Sequence, residues 1–244
     1  NLNAEFIREY PSEPPGLDSF NYKPIQTPNG YFIYGSKEIQ PGYTDACIRS
    51  VDQLGETQWI KYFGKVNLAD GFVSMDQVND SLFVVGGVFS VSSTSGYSSI
   101  RFIDLHGNVT KEWNSSPEPD IGYLRKIIHV SDNKLITFGA KVVDVIGGTK
   151  LVQPTLAELD SNFQVQWIRQ IGLVASSVSQ IMFWDIEPTF DNNYIGAGET
   201  SVKQNGNSSI RTGWLFNFSP EGDSLWQRTD IAPLPVSFFN DHFF

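Results

Sequence analysis

Apolar positions along this chain fall in short runs of period two or in compact clusters, and none keeps a 3.6-residue spacing long enough for a helix. Four clusters share one plan: "TPNGYFIYGS" (27–36), "VNDSLFVVGG" (78–87), "SDNKLITFGA" (131–140) and "FDNNYIGAGE" (190–199). In each, a turn rich in Asn, Asp or Gly leads into a short apolar strand that ends in glycine. Asn and Asp bond their own backbone and tolerate left-handed conformations, so these are hairpin turns. A further strand precedes each turn: "SFNYKPIQ", "GFVSMDQV", "YLRKIIHV" and "MFWDIEPT".

A second phrase follows each cluster, as "SVDQLGETQWIKYFG" (50–64), "FIDLHGNVTKEWNSS", "ELDSNFQVQWIRQIG" and "NFSPEGDSLWQRTD". It reads as a strand, a turn and a Trp-led strand. Trp59, Trp113, Trp167 and Trp226 are spaced by 54, 54 and 59 residues. Asp52, Asp104 and Asp160 open the turn, with Ser219 in the last copy. Gly55, Phe163 and Gly222 stand four positions before three of the Trp. In the second copy two extra residues separate Gly107 from Trp113, which preserves strand parity.

Each unit therefore predicts four antiparallel strands, A to D, repeated at about fifty residues, the pattern of β-propeller blades. The expectation is an all-β chain forming a single propeller domain over 1–244. Its blades cover approximately 18–64, 70–114, 120–172 and 180–229. The segment 4–11 matches the strand D phrase and 236–244 reads as a strand A, so the two belong to a shared or incomplete blade. Four blades and half of a fifth make an awkward ring, which favours a piece of a longer propeller over a five-bladed ring closed by a partial blade.

Composition narrows the chemistry. The net charge of −10 disfavours nucleic acid, which needs clustered Lys and Arg, and disfavours anionic membranes. One cysteine, Cys47, excludes an internal disulfide framework, and it reads as a buried thiol in strand C. His106, His129 and His242 are scattered without metal-ligand spacing, and His129 inside an apolar strand reads as a core residue. No apolar run reaches the roughly 18 residues that span a bilayer. The N-terminal stretch leaves a cytoplasmic protein or a mature chain from which a signal peptide was removed, and a start on Asn rather than Met favours the second.

"TPNGYFIYGS" followed by "DACIRSVDQLGETQWIKYFG" resembles the repeat of secreted propellers abundant in Bacteroidota, and the wider pattern is similar to quinoprotein-like propellers. The resemblance covers nearly the whole chain in four copies. It implies an exported protein at the cell surface or outer membrane, of a kind that often carries a sorting domain for type IX secretion. "DSL" at 80–82 and 223–225 is similar to the O-glycosylation motif of that group, and sequons occur at Asn79, Asn108, Asn114, Asn207 and Asn217.

Candidate binding positions lie where the copies diverge. The B–C connections, 36–46, 88–98, 141–153 and 199–211, read as long loops, as do the D–A connections 114–120 and 229–236. Both classes would sit on one face. Their Ser, Asn and Gly content, with Tyr43, Tyr97, Lys203 and Asn205, suits adaptable hydrogen bonding to a protein or glycan. Asp18, Asp70 and Asp120 each precede a strand A aromatic. They are open to three roles: coordinating a hard cation such as Ca²⁺, acting as general acid and base, or accepting backbone N–H bonds in the D–A turn. The repeated Trp reads as packing rather than a sugar platform.

The leading expectation is a non-catalytic binding or adhesion module without a cofactor. The competing classes are a glycan-active or quinoprotein-like propeller enzyme, and a scaffold subunit of an outer-membrane or secretion assembly.

Overall fold

A computed structural model of the chain describes residues 18–19, 24–65, 67–92, 95–115, 121–146, 149–171, 182–204 and 208–231. Within them there are seventeen strands and no helix. The chain divides into two compact units, 1–114 and 115–244.

The first unit holds two antiparallel sheets. Sheet one contains β1 (Asp18–Ser19), β2 (Ile25–Thr27), β3 (Gly30–Gln40), β4 (Tyr43–Asp52) and β5 (Thr57–Phe63). Its order is β1-β3-β4-β5, with β2 also on β3. Strand A of the sequence reading is thus two pieces on one neighbour, and Pro24, which offers no ladder N–H, precedes the second. Sheet two runs β6 (Gly71–Asn79), β7 (Leu82–Ser92), β8 (Ser95–Asp104) and β9 (Val109–Asn114) in sequential order. Phe32, Ile48, Phe72, Phe83, Val85, Phe89 and Ile103 form the core between these sheets. Two edge-on contacts, Phe32–Phe83 at 4.9 Å and Phe63–Phe72 at 5.2 Å, tie the two inner faces.

The second unit repeats the plan. Sheet three is β10 (Tyr123–Ser131), β11 (Lys134–Ile146), β12 (Thr149–Leu159) and β13 (Val165–Gln170). Sheet four is β14 (Met182–Pro188), β15 (Tyr194–Gln204), β16 (Ser208–Phe218) and β17 (Ser224–Ile231). Ile136, Phe138, Leu156, Ile186, Trp214, Phe216 and Phe218 build its core. At the surface Lys126 pairs with Asp185.

Four antiparallel sheets match the four predicted blades, and the C–D turns match in detail. Asp52 Oδ1 accepts the backbone N–H of Leu54 and of Glu56, at 2.9 and 2.8 Å. Asp104 does the same for His106 and Asn108, Asp160 for Asn162 and Gln164, and Ser219 for Glu221 and Asp223. The fourth turn residue lies in the left-handed region in every copy: Gly55, Gly107 and Gly222, and Phe163 at φ 61°. A non-glycine residue there costs about 1 kcal/mol, which burial of the Phe163 ring offsets.

The B–C connections differ from expectation. Residues 36–46 and 88–98 are not long loops but the far ends of two continuous hairpins, β3–β4 and β7–β8. Strands β11–β12 and β15–β16 extend in the same way through much of 141–153 and 199–211. Their Ser, Asn and Gly content looked loop-like, but a two-residue turn at Pro41–Gly42 lets the ladder run on to Gln40↔Tyr43. The hairpins carry a one-residue bulge at matching places: Ile39 in β3, Val91 in β7 and Val143 in β11. A bulge redirects the side chain it adds; Ile39 is 43% and Val91 59% exposed.

The terminal segments 4–11 and 236–244, and the connections 116–120 and 232–236, lie outside the described residues.

Candidate functional site

The candidate site lies on the hairpin-end face of the first unit. It is assembled from the β3–β4 and β7–β8 hairpins and the D–A connection from Gly64 to Asp70. That connection is tied to β4 by two backbone bonds, Thr44 N–H to Leu68 O at 3.2 Å and Asp70 N–H to Thr44 O at 2.7 Å. It is tied to β7 by the Ser90 hydroxyl, which donates to Ala69 O at 2.6 Å.

Asp70 is the centre of this arrangement. It is buried, at 2% exposure, and its two carboxylate oxygens accept different backbone N–H groups: Lys65 at 2.9 Å and Ser90 at 2.7 Å. One side chain thus pins the connection to itself and to the neighbouring hairpin. Of the roles open to Asp70 in the sequence, accepting backbone N–H bonds is the one its contacts display. Asp18 lies in β1 opposite Lys37, with its side chain outside the described set, and Asp120 is outside it altogether. Among the described residues, no three His, Cys, Asp or Glu side chains come together as a metal site.

Sequence reasoning missed the partner of Asp70. Asp45, in β4, brings its carboxylate up to the same place. A methyl group on Gly64 would stand 2.7 Å from Asp45 Oδ1 and 2.8 Å from Asp70 Oδ2. Burial, and then the charge of Asp70, push the Asp45 carboxyl above its ordinary range. The strand register of β4, once its hairpin is recognised, is the signal that would have found it: Asp45 pairs with Lys37 across the ladder.

Tyr97 is beside the same cluster. Its ring stacks on Phe89 at 6.0 Å, and Lys65 Nζ stands 6.0 Å from its centre. Burial raises the phenol pKa; Arg101 pulls against it, and Asp70 and Glu112 add to it. Tyr97 is therefore a half-buried packing residue. Tyr43, by contrast, stands at the hairpin end and is 41% exposed. Lys203 lies in β15 opposite Ser209, its side chain outside the described residues, and Asn205 is outside them altogether.

Beneath Tyr97, Arg101 was also overlooked. Alternation in β8 puts Tyr97, Ser99, Arg101 and Ile103 on one side of the strand. The guanidinium centre lies 4.4 Å from the Phe89 ring centre, 5.5 Å from Phe63 and 5.6 Å from Phe72. Its Nε and Nη2 donate to Glu112 Oε1 at 3.2 and 3.0 Å. An arginine held by three rings and one carboxylate is fixed in place and supports the face from below.

Two of the strand D Trp, Trp59 and Trp167, belong to packing, whereas Trp226 is 43% exposed and Trp113 pairs further along its strand, with Ile100. The Trp59 ring abuts Gly107 in the next sheet's turn, and Trp167 abuts Gly222 in the same manner. Two residues on, a cation reaches the residue after that glycine: Lys61 Nζ donates to Asn108 Oδ1 at 2.7 Å, and Arg169 lies 3.8 Å from Asp223. Cys47 is a buried thiol, as expected.

No protein-family model matches the chain, and no curated protein matches it either.

Proposed function

We propose that this chain is a β-propeller of the secreted Bacteroidota type that works at the cell surface as a non-catalytic binding or adhesion module. Its binding surface is the face formed by the ends of the B–C hairpins and the D–A connections. The observation that carries this reading is the contrast between the two ends of the sheets. At one end the four C–D turns repeat the same pair of bonds, accepted by Asp52, Asp104, Asp160 and Ser219. At the other, the hairpin ends vary in sequence; apolar exposure is common to both ends, at Ile39, Tyr43 and Val91 here and at Leu54 and Phe190 in the turns. A rigid scaffold with a variable, partly apolar rim is the arrangement binding surfaces use. The partner chemistry that suits it is a protein or a glycan.

The feature that would favour a glycan-active enzyme is the Asp45–Asp70 carboxylate pair. Asp70, however, is buried and spends both oxygens on backbone N–H groups, which assigns it to holding the connection rather than to a substrate.

Labelled protein applied to intact cells and to a glycan array tests the proposal. Saturable binding that is lost on Tyr43→Ser supports it; binding indifferent to that change and to Lys203→Ser sinks it.

A further inference from the structure

The two units solve the same packing problem differently, and the difference opens a cleft. In the second unit Trp167 lies opposite Glu158 across the ladder, and its indole N–H donates to Glu158 Oε2 at 2.9 Å. Lys134, the first residue of β11, completes the group. Its ammonium sits 2.8 Å from Glu158 Oε2 and donates to Pro220 O, in the next sheet's turn, at 2.9 Å. Lys134 and Glu158 together fill the space between strand D of one sheet and the turn of the next.

In the first unit the matching positions hold the smallest side chains of any copy. Ser50 stands opposite Trp59 where Glu158 stands opposite Trp167, and Gly30, whose backbone would turn a side chain into β4 at Val51, opens β3 where Lys134 opens β11. The other two sheets place Leu82 and Phe102, and Asn193 and Asn217, at these positions. What remains beside Trp59 is a cleft of about 580 Å³, between the turns of sheets one and two. Its size falls in the range of small-molecule sites. It lies at the opposite end of the sheets from the hairpin face.

The lining selects the ligand. Asn29, Gln58, Ser50 and Thr27 supply groups that both donate and accept. Trp59, Phe32 and Leu105 supply an apolar wall. A cation gains no free acceptor, because Ser50 has replaced the carboxylate that balances the ammonium in the second unit and both oxygens of Asp52 are already hydrogen-bonded. An anion is disfavoured by Asp52, which lines the cleft and is already committed to Leu54 N–H, Glu56 N–H and Gln58 Nε2. A neutral ring carrying several hydroxyls satisfies both constraints, with its C–H face on the aromatic wall and its hydroxyls on the amides. We propose that the cleft between Trp59 and the Leu105–His106 turn is a binding site for a neutral pyranose sugar.

The test uses the whole chain and the methyl glycosides of glucose, galactose and mannose, titrated while the indole N–H signal of Trp59 and the amide of His106 are followed by NMR. At least one glycoside is expected to shift both signals saturably, leaving Trp167 unmoved. Ser50→Glu, which restores the residue of the third sheet, is expected to weaken that binding by about tenfold or more. Gln58→Ala, at an exposed position, serves the same purpose if Ser50→Glu unfolds the chain. Hairpin-end variants are expected to leave the affinity unchanged. The proposal is overturned if none of the three glycosides gives a saturable shift, or if a folded Ser50→Glu and Gln58→Ala both bind as the parent does.

Discussion

The indole of Trp59 rests on the α-carbon of Gly107: a methyl group there would stand 2.6 Å from the ring. Gly107 is constrained twice, because its φ of 71° lies in the left-handed region as well. Gly42 separates the two constraints, having φ 82° with nothing within 4 Å of an added methyl. Gly42→Ala is expected to cost about 1 kcal/mol, the backbone penalty alone. Gly107→Ala adds overpacking and is expected to cost about 3 kcal/mol in all. Chemical denaturation of the two variants measures the difference, and equal losses would remove the Trp–Gly contact from the account of stability.

Asp104 predicts a pH dependence with one sign. Burial opposes its ionisation, but hydrogen bonds from Asn108 and His106 outweigh burial and hold the carboxyl below its ordinary value of 3.8. A carboxyl whose folded pKa is depressed contributes stability above the unfolded value and loses it as pH falls through the folded one. Asp104→Ser, the residue of the fourth turn, is expected to flatten the acid limb of the stability profile below pH 3.8. Melting curves across that limb decide the matter; an unchanged slope would contradict the turn assignment.

Asp45 predicts the opposite sign. Its folded pKa is raised by burial and by Asp70, so its contribution is fully favourable below the unfolded value of 3.8 and is lost as pH rises through the folded pKa. Asp45→Asn is therefore expected to stabilise the chain at neutral pH, with the gain vanishing in acid. Asp70→Asn is expected to bring the Asp45 titration back toward its ordinary range, as carboxyl NMR would read.

Asp70 itself separates loop anchoring from cation binding. Asp70→Ala leaves two backbone N–H groups without their acceptor and is expected to cost about 3 kcal/mol. Asp70→Asn keeps one acceptor and is expected to cost roughly half of that. Calcium is expected to leave the parent melting temperature unchanged. A calcium-dependent rise that disappears in Asp70→Asn would instead assign the carboxylate to an ion.

The repeats were readable because they are local. Asp52 and Gly55 sit three residues apart in one turn, and a turn carries its chemistry in its own residues. The hairpin ends were not, because "SKEIQPGYTDA" has the composition of a loop and becomes a ladder only through cross-strand pairing. The same reason hid Asp45 and Arg101. Asp45 comes from a strand and Asp70 from the D–A connection, and they meet beside Gly64, while Arg101 acquires its setting from Phe63, Phe72 and Phe89 on three separate strands. The cleft beside Trp59 needs more still, since it follows from what Ser50 lacks relative to Glu158.

The central claim is that repeated residues build the sheets while the hairpin ends bind. It is tested most directly by one triple variant, Ile39→Ser with Tyr43→Ser and Val91→Ser, measured for cell-surface binding and thermal melting together. The account predicts that binding is lost with the melting temperature unchanged, because these side chains are exposed at the ends of the ladders. Undiminished binding by the folded triple variant would contradict it.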